Sequence, residues 1–488
     1  MRKSTLVPVL ALLGSLALTT SCSTDTSSID SAPAKTGSTP TGGTAEGTDP
    51  GGSVNPAKIK GIRIVSDNSD DRSCPWASSY PDVPGASGMT AAMKKYVATR
   101  IAGFRGDDGG SAVTCGADST GASPNGAELN ISYSFLVASG DVVGVRLTTL
   151  NRPAAGDGLD TRTYWYDGKN GTAESAYALI ADGSQDAFVA ALQKQLKGKE
   201  GADPASLDDT ENRTASLDDM AFTADGGLRV DFDRGTVGVP AGGRYTVTFP
   251  KATVTPWLSD FGKRVQQQTA SPSAGLDLGA TSTPSATMPT QTADGDDTTN
   301  CAEVKCIALT FDDGPAAPYT ATLLTYLAKY DARVTFFTVG QNVAAHPELV
   351  RAEVRAGHEV GNHSWNHPDL TRLATGEIRS QLERTSAAIK AATGKEPTLF
   401  RPPYGAINGK VRSATTLSPV LWDVDTEDWK YPNASRVAQY VISKAGRNDV
   451  VLLHDIHPTS VGAVPEILRT LSARGYHFVT VSHLRATL

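Results

Sequence analysis

Residues 306–315 read CIALTFDDGP, and this stretch decides the fold. It is the apolar run of a parallel strand buried on both faces, ended by two adjacent carboxylates and a Gly-Pro turn. Asp, Gly and Pro are turn formers, so a solvated turn is the plain alternative. Against it, two ionised carboxylates about 5 Å apart repel by about 3 kcal/mol at an effective dielectric near 20. Placing Asp312 and Asp313 side by side at a strand mouth becomes reasonable if a cation lies beside them.

Outward from this stretch, residues 300–488 alternate between short β-like runs and helical ones. CIALTF, ARVTFFTV, HEVGNH, TLFRP, PVLWDV, VVLLHD and HFVTV read as strands. ATLLTYLAKY, ELVRAEVRAG, GEIRSQLERTSAAIKAATG and VPEILRTLSARG read as helices between them. Alternation at this spacing implies parallel strands joined by right-handed crossovers. The result is an α/β domain whose seven strands allow a barrel smaller than the usual eight. Chemistry in such folds gathers at the carboxyl ends of strands.

The polar clusters fall at those ends. HSWNH (363–367) follows the strand-like HEVG, and its histidines share a face if the segment turns helically. It lacks the glutamate of HExxH metalloproteases, so a third ligand and a base must come from elsewhere. LTFDDGP can supply both. Two histidines and one carboxylate leave a position for water, as catalytic zinc does. Non-haem iron uses a similar set, but on jelly-roll strands with different spacing. RPPYG (401–405), DVDTEDW (423–429) and VVLLHD (450–455) end three further strands.

The ordered set TFDDGP, HSWNH, RPPYG, DTEDW and LLH resembles the polysaccharide deacetylases of the NodB-homology, carbohydrate esterase family 4 type. The resemblance covers essentially all of 300–488 and implies a distorted (β/α) barrel of about seven parallel strands. It implies metal-assisted hydrolysis of an acetyl group, typically at the carbon–nitrogen amide bond of a glycan. Asp313, His363 and His367 would hold a divalent metal, zinc first, with cobalt or another divalent ion as alternatives. Asp312 would be the general base, oriented by Arg401, and His454 the general acid, kept charged by Asp428. The backbone N–H of Tyr404 would help hold the oxyanion, and Trp429 and Leu452 would line the acetyl-methyl pocket. The remaining histidines, His346, His358, His457, His477 and His483, match no motif.

The rest of the chain bounds the setting. At 488 residues, 39% hydrophobic and 20% charged, it exceeds one ordinary core and contains unstructured polar material. A net charge of −7 leaves no electrostatic footprint for nucleic acid. Residues 1–22 form a signal peptide, with Arg2 and Lys3 before the apolar Leu6–Leu18 and a lipobox-like approach to Cys22, the candidate lipid anchor. Export is expected, to a membrane-anchored position facing the cell wall, or alternatively as a secreted protein. Four cysteines remain, and their order pairs Cys74 with Cys115 and Cys301 with Cys306 in an oxidising compartment.

Residues 23–56 and 268–299 are rich in Ser, Thr, Gly, Pro and Ala and read as linkers. Between them, 57–267 reads as a separate α+β domain without histidine or an evident paired acidic cluster. Its strands include a hairpin over 128–150 turning at 139–141, and its helices cover 89–104 and 185–196. YWYDGK and the later LRVDFDRGTVGVPAGGRYTVTFP resemble RsiV-like extracytoplasmic domains, some of which bind cell-wall ligands or lysozyme. A wall-binding or positioning role follows from that resemblance. The expected partner is a glycan polymer, peptidoglycan N-acetylglucosamine first, with chitooligosaccharide, MurNAc or acetylxylan as alternatives. No protein partner is readable. A lysozyme-sensing or wall-binding lipoprotein with an inactive catalytic domain is the alternative of another class.

Overall fold

The structure is a computed structural model describing residues 54–107, 127–152, 158–279, 290 and 297–488. The leader, Cys22, Cys115 and the first linker up to residue 53 lie outside the described residues. Among the described residues no helix is long and apolar enough to cross a membrane.

The amino-terminal part builds on a six-stranded sheet whose spatial order follows the chain. Its strands are β1 (Arg63–Ser69), β2 (Trp76–Asp82), β3 (Glu128–Ser139), β4 (Val142–Arg152), β5 (Leu159–Asp167) and β6 (Thr172–Glu174). The expected hairpin is β3–β4, with Ser139 opposite Val142 and Gly140 at φ 57° in its two-residue turn. Helices Ser87–Arg105 and Gln185–Leu196 form where helical periodicity predicts them. A second antiparallel sheet contains β7 (Met220–Phe222), β8 (Leu228–Phe232) and β9 (Tyr245–Phe249). Buried Arg146 on β4 joins the two sheets through Asp219 at 2.8 Å and Asp231 at 3.3 Å.

The second linker begins later than its composition implies. Helix Asp260–Ala270 runs through its first residues. The Gly140 N–H then donates to the Gly275 carbonyl and its own carbonyl accepts from the Asp277 N–H, while Leu276 and Leu278 pack on the sheet core. Two leucines and a backbone ladder offset the ordering entropy that Ser/Gly composition alone would leave uncompensated.

The carboxyl-terminal part is an open parallel barrel. Its strands are β10 (Lys305–Asp312), β11 (Thr335–Thr338), β12 (Glu359–Asn362), β13 (Leu399–Phe400), β14 (Ser418–Pro419), β15 (Val424–Asp425), β16 (Val450–His454) and β17 (Tyr476–Phe478). The order is β14-β13-β12-β11-β10-β16-β15, with β17 paired to the start of β10. Every residue of β10 after Lys305 is buried, as a central parallel strand requires. Its odd positions Ile307, Leu309 and Phe311 pack with Leu323, Leu324, Val464 and Leu468 of the outer helices. Its even positions turn inward, so Thr310 and Asp312 share the interior face.

PVLWDV is not the single strand its apolar content predicts. It splits into β14 and β15 at the two ends of the sheet, and residues 420–423 close the barrel covalently rather than by strand pairing. Val420 N–H bonds Phe400 on one side, and Asp423 N–H bonds Val450 on the other. The carbonyls of Val420 and Leu421 accept from Arg401 instead of from a strand.

His358 lies buried at the entry to β12, 5.5 Å from the Phe336 ring, with Nδ1 facing the Val334 N–H. Burial pushes its pKa down to about 3 from the ordinary 6.5. The unfolded state therefore binds a proton that the folded state refuses between these values, and this site costs stability as pH falls below 6.5. A His358→Leu variant should lose less stability than wild type between pH 7 and pH 5, by about 2 kcal/mol. Urea denaturation of both proteins at the two pH values checks this; parallel losses would contradict it.

Candidate active site

Register brings two of the candidate residues together before any loop contributes. β10 pairs β16 in parallel with Asp312 opposite His454 and Thr310 opposite Leu452. The two inward carboxyl-terminal side chains therefore stand at one level on neighbouring strands. Asn362 at the end of β12 pairs with Phe400, which puts His363 and Arg401 at the next rim positions.

Arg401 is fully buried, its guanidinium 4.3 Å from the Phe337 ring centre and 5.6 Å from that of Trp422. Its Nη1 donates to Asp312 Oδ1 and to Thr310 Oγ1, both at 2.7 Å. Burial pushes the Asp312 carboxyl up to about 6, against the opposing pull of Arg401. Such a carboxylate takes a proton more readily near neutral pH than an exposed one.

Asp312 and Asp313 do not point apart as an extended chain would require. Asp313 has φ 74°, so the strand ends at Asp312 and the next carboxylate swings to the same side. Gly314 follows because a Cβ there would lie 2.2 Å from Asp455 Oδ1. HSWNH is likewise a bend and not a helical turn, with Ser364 at φ 65° and His367 at φ 60°. Asn362 Oδ1 accepts from Ser364 N–H, and Ser364 Oγ from His367 N–H, which hold the bend. The two imidazoles end 4.8 Å apart between ring centres.

Asp313, His363 and His367 converge as a candidate metal site, one ligand atom from each lying within 4.8 Å of the others. Asp313 Oδ1 is 3.5 Å from His363 Nε2 and 3.5 Å from His367 Nε2. Tetrahedral coordination with bonds near 2.0–2.1 Å puts neighbouring ligand atoms about 3.4 Å apart. Asp313 Oδ1 and both ring nitrogens of His367 are buried without a hydrogen-bond partner, a cost that a divalent ion would remove. His363 Nδ1 donates to the Arg401 carbonyl at 2.7 Å, which fixes the tautomer with the proton on that nitrogen and leaves Nε2 free to ligate. Burial drives both histidines toward the neutral form a ligand needs, His367 down to about 4. These residues fit a metal.

His454 is bound on both nitrogens. Nδ1 lies 2.7 Å from Asp428 Oδ1, and the His454 backbone N–H donates to Asp428 Oδ2. Burial disfavours the imidazolium, but Asp428 outweighs it and holds the His454 pKa well above its ordinary value. Tyr404 sits at φ 58° in the RPPYG turn, its ring 4.7 Å from His367. Leu452 is fully buried, its carbonyl accepting from Thr426, while Trp429 is partly buried with its indole nitrogen unpartnered. His457 lies 6.0 Å from His454 between ring centres, outside the hydrogen-bonded set.

The sequence reading missed four contributors. Asp455 is buried against Thr320 and Gly314, its pKa pushed up to about 7 by burial. Asn342 Nδ2 holds the Asp313 carbonyl at 2.7 Å. The other two come from the amino-terminal part. Asn68 Nδ2 donates to Asp313 Oδ2 at 2.7 Å, and Asp70 Oδ2 lies 2.9 Å from His454 Nε2. Residues 67–71 read DNSDD at the end of β1, and nothing in their local sequence separates that from a solvated turn. The amino-terminal α+β part is present as a separate region with its own sheets, and its β1–β2 segment reaches the site of the carboxyl-terminal part.

Residues 299–418 match the polysaccharide deacetylase family. The peptidoglycan-N-acetylglucosamine deacetylase PgdA of Listeria monocytogenes is 44% identical over 180 residues, 37% of this chain and 39% of that protein. The peptidoglycan-N-acetylmuramic acid deacetylase PdaC of Bacillus subtilis is 46% identical over 180 residues, 37% of this chain and 38% of that protein. A peptidoglycan-N-acetylglucosamine deacetylase of Bacillus cereus is 40% identical over 192 residues, 37% of this chain and 70% of that protein. The chain thus spans about two fifths of the first two relatives.

Replacing Arg401 by Met keeps volume but strands Asp312 and two carbonyls of the barrel seam. Arg401→Met should cost about 3–5 kcal/mol, the usual loss when one partner of a buried pair is removed. Chemical denaturation measures it; a loss below 1 kcal/mol would show that the seam does not depend on the guanidinium.

Proposed function

We propose that this chain, which belongs to the polysaccharide deacetylase family, hydrolyses acetyl groups from an N-acetylated glycan, peptidoglycan N-acetylglucosamine first. The observation that carries the reading is the convergence of Asp313, His363 and His367 beside Asp312–Arg401 and His454–Asp428. The names of the similar proteins support the wall glycan as substrate class, with both GlcNAc and MurNAc represented. Export, and tethering through Cys22, would bring the chain to that polymer. Chitooligosaccharide and acetylxylan stay as alternative substrates.

Asp313, His363 and His367 would hold a divalent ion, zinc by the chemistry of two imidazoles and a carboxylate. Bound there, a divalent ion would supply Lewis-acid activation of water and of an acyl oxygen. Asp312 takes the proton of the attacking water, held in line and ionised by Arg401. The Tyr404 N–H donates to the acyl oxygen and stabilises the negative charge that develops there. His454, protonated because Asp428 faces Nδ1, delivers the proton from Nε2 to the departing sugar amine, which is a poor leaving group without it. Trp429 and Leu452 offer apolar surface for the acetyl methyl.

Asp312 and Asp313 differ in their partners, Arg401 for one and the imidazole pair for the other, so their substitutions should fail differently. Asp312→Asn should keep metal and lose on the order of 10²–10⁴ in turnover. Asp313→Asn should lose metal affinity, with activity partly restored by excess metal. Metal content by mass spectrometry, with acetate release during a metal titration, checks both; loss and rescue of metal in Asp312→Asn would reverse the assignment. Product masses from peptidoglycan, chitin oligomers and acetylxylan test the substrate. Release of acetate from none of them by metal-loaded protein would favour the inactive wall-binding reading.

A further inference from the structure

The β1–β2 connection reaches into the site just described. Asp70 Oδ2 takes the Nε2 of His454 at 2.9 Å, the nitrogen that has to face a leaving amine. Its other oxygen, Oδ1, has no hydrogen-bond partner and lies 3.9 Å from the equally unpartnered His367 Nε2. The Asp70 carboxylate thus spans the gap between the general acid and the candidate metal ligands. Asn68, two residues earlier, covers the Asp313 carboxylate from the same side. The cavity left between Ser66, Asn68, Asp313, Asn342 and His367 measures about 20 Å³, room for one water and no sugar.

An aspartate side chain is an acetate ion with one methyl hydrogen replaced by the backbone. Deacetylation releases acetate into this same gap. We infer that Asp70 is a tethered product mimic, and that the β1–β2 connection is an intramolecular competitor which a glycan must displace before it can be cleaved. The inference rests on the deacetylase reading for the meaning of the gap, though the occupancy itself rests on geometry alone.

The contacts that hold this arrangement suit reversible docking. Asn130 Nδ2 donates to the Asn366 carbonyl at 2.8 Å, and Gln341 Nε2 to the Tyr133 carbonyl at 2.8 Å. Ser79 donates to Gln341 Oε1 at 3.2 Å, and Glu128 accepts from the Asp369 N–H at 2.7 Å. Each is a polar pair that water can replace, at a net cost of about 0.5–1.5 kcal/mol for the neutral pairs and about 1.5–3 kcal/mol where the Glu128 carboxylate is charged. Interfaces of this polar kind allow relative motion of the parts they join.

If the open state is a fraction f of the molecules, apparent affinity for substrate falls by that fraction while turnover of bound substrate does not. Full-length Asp70→Ala and Asp70→Asn should therefore show KM for a chitin oligomer lowered by about tenfold or more, with kcat kept. The inhibition constant of added acetate should fall by the same factor, a change that a merely structural residue would not produce. Gln341→Ala, which loosens the docking away from the reacting groups, should move both constants in the same direction. Independently of activity, saturating acetate should raise hydrogen exchange of the 66–80 backbone in the wild-type chain. Unchanged KM, acetate inhibition and exchange would overturn the inference, as would a kcat loss of about 10²-fold in Asp70→Asn, which would make Asp70 a catalytic group. An exchange response to acetate in protein that cleaves no glycan would uphold the occupancy while removing the deacetylase reading.

Discussion

A positive charge with no access to water organises the barrel. Arg401 occupies the place where strand pairing fails, between β14 and β15, and supplies donors to the carbonyls that the missing pairing leaves unsatisfied. Burying a guanidinium is costly unless it is paired and its donors are used. Here the same five-donor fork takes Asp312, Thr310 and two seam carbonyls, with aromatic rings over its faces. Closure of the fold and ionisation of the proposed base are therefore one arrangement. A lysine could not replace it, because one ammonium cannot serve four acceptors in that geometry.

Around this centre the rim residues adopt backbone that side chains disfavour. Asp313, Ser364, His367, Tyr404 and Glu427 all have φ between 48° and 74°, each following a strand of the barrel. Left-handed conformation costs a non-glycine residue on the order of 1–2 kcal/mol. It is the route by which consecutive residues leave a strand and still return their side chains to the axis. The same rim leaves buried ligand atoms unpartnered, a second cost that metal coordination would remove. Both costs concentrate where the chemistry is proposed, and the packed strands below supply the stability to bear them.

The contact between the two parts of the chain is polar for a physical reason. Residues of the proposed site must be wettable to admit the proposed glycan, so whatever covers them has to hydrogen-bond rather than bury apolar surface. Ser66, Asn68, Asp70, Ser79, Glu128 and Asn130 do so from one side, meeting Asn342, Asp313, His454, Gln341, Asp369 and Asn366 in that order on the other. Each part has its own large apolar core, with Phe188, Phe222 and Val230 in one and Leu309, Phe311 and Ile467 in the other, while Ala345 of the carboxyl-terminal part joins the buried cluster of the amino-terminal sheet.

Local sequence determined the parallel strands, the outer helices, and the Asp, His and Arg clusters at strand ends, because periodicity and turn chemistry act over a few residues. CIALTF had to be a central strand, and QDAFVAALQKQL a helix, whatever surrounded them. Tertiary structure alone decided that LWDV would be a seam rather than a strand, since Arg401 lies twenty residues away and competes for its carbonyls. It decided that Asp312 and Asp313 would share a face, because the left-handed turn at Asp313 is tolerated only where Asn68, Asn342 and the imidazoles surround it. It also decided that Asp70, an ordinary turn acid by its neighbours, would meet His454 across 384 positions of sequence. No short window can encode that contact, because its free energy belongs to the docking of two folded surfaces and not to either segment.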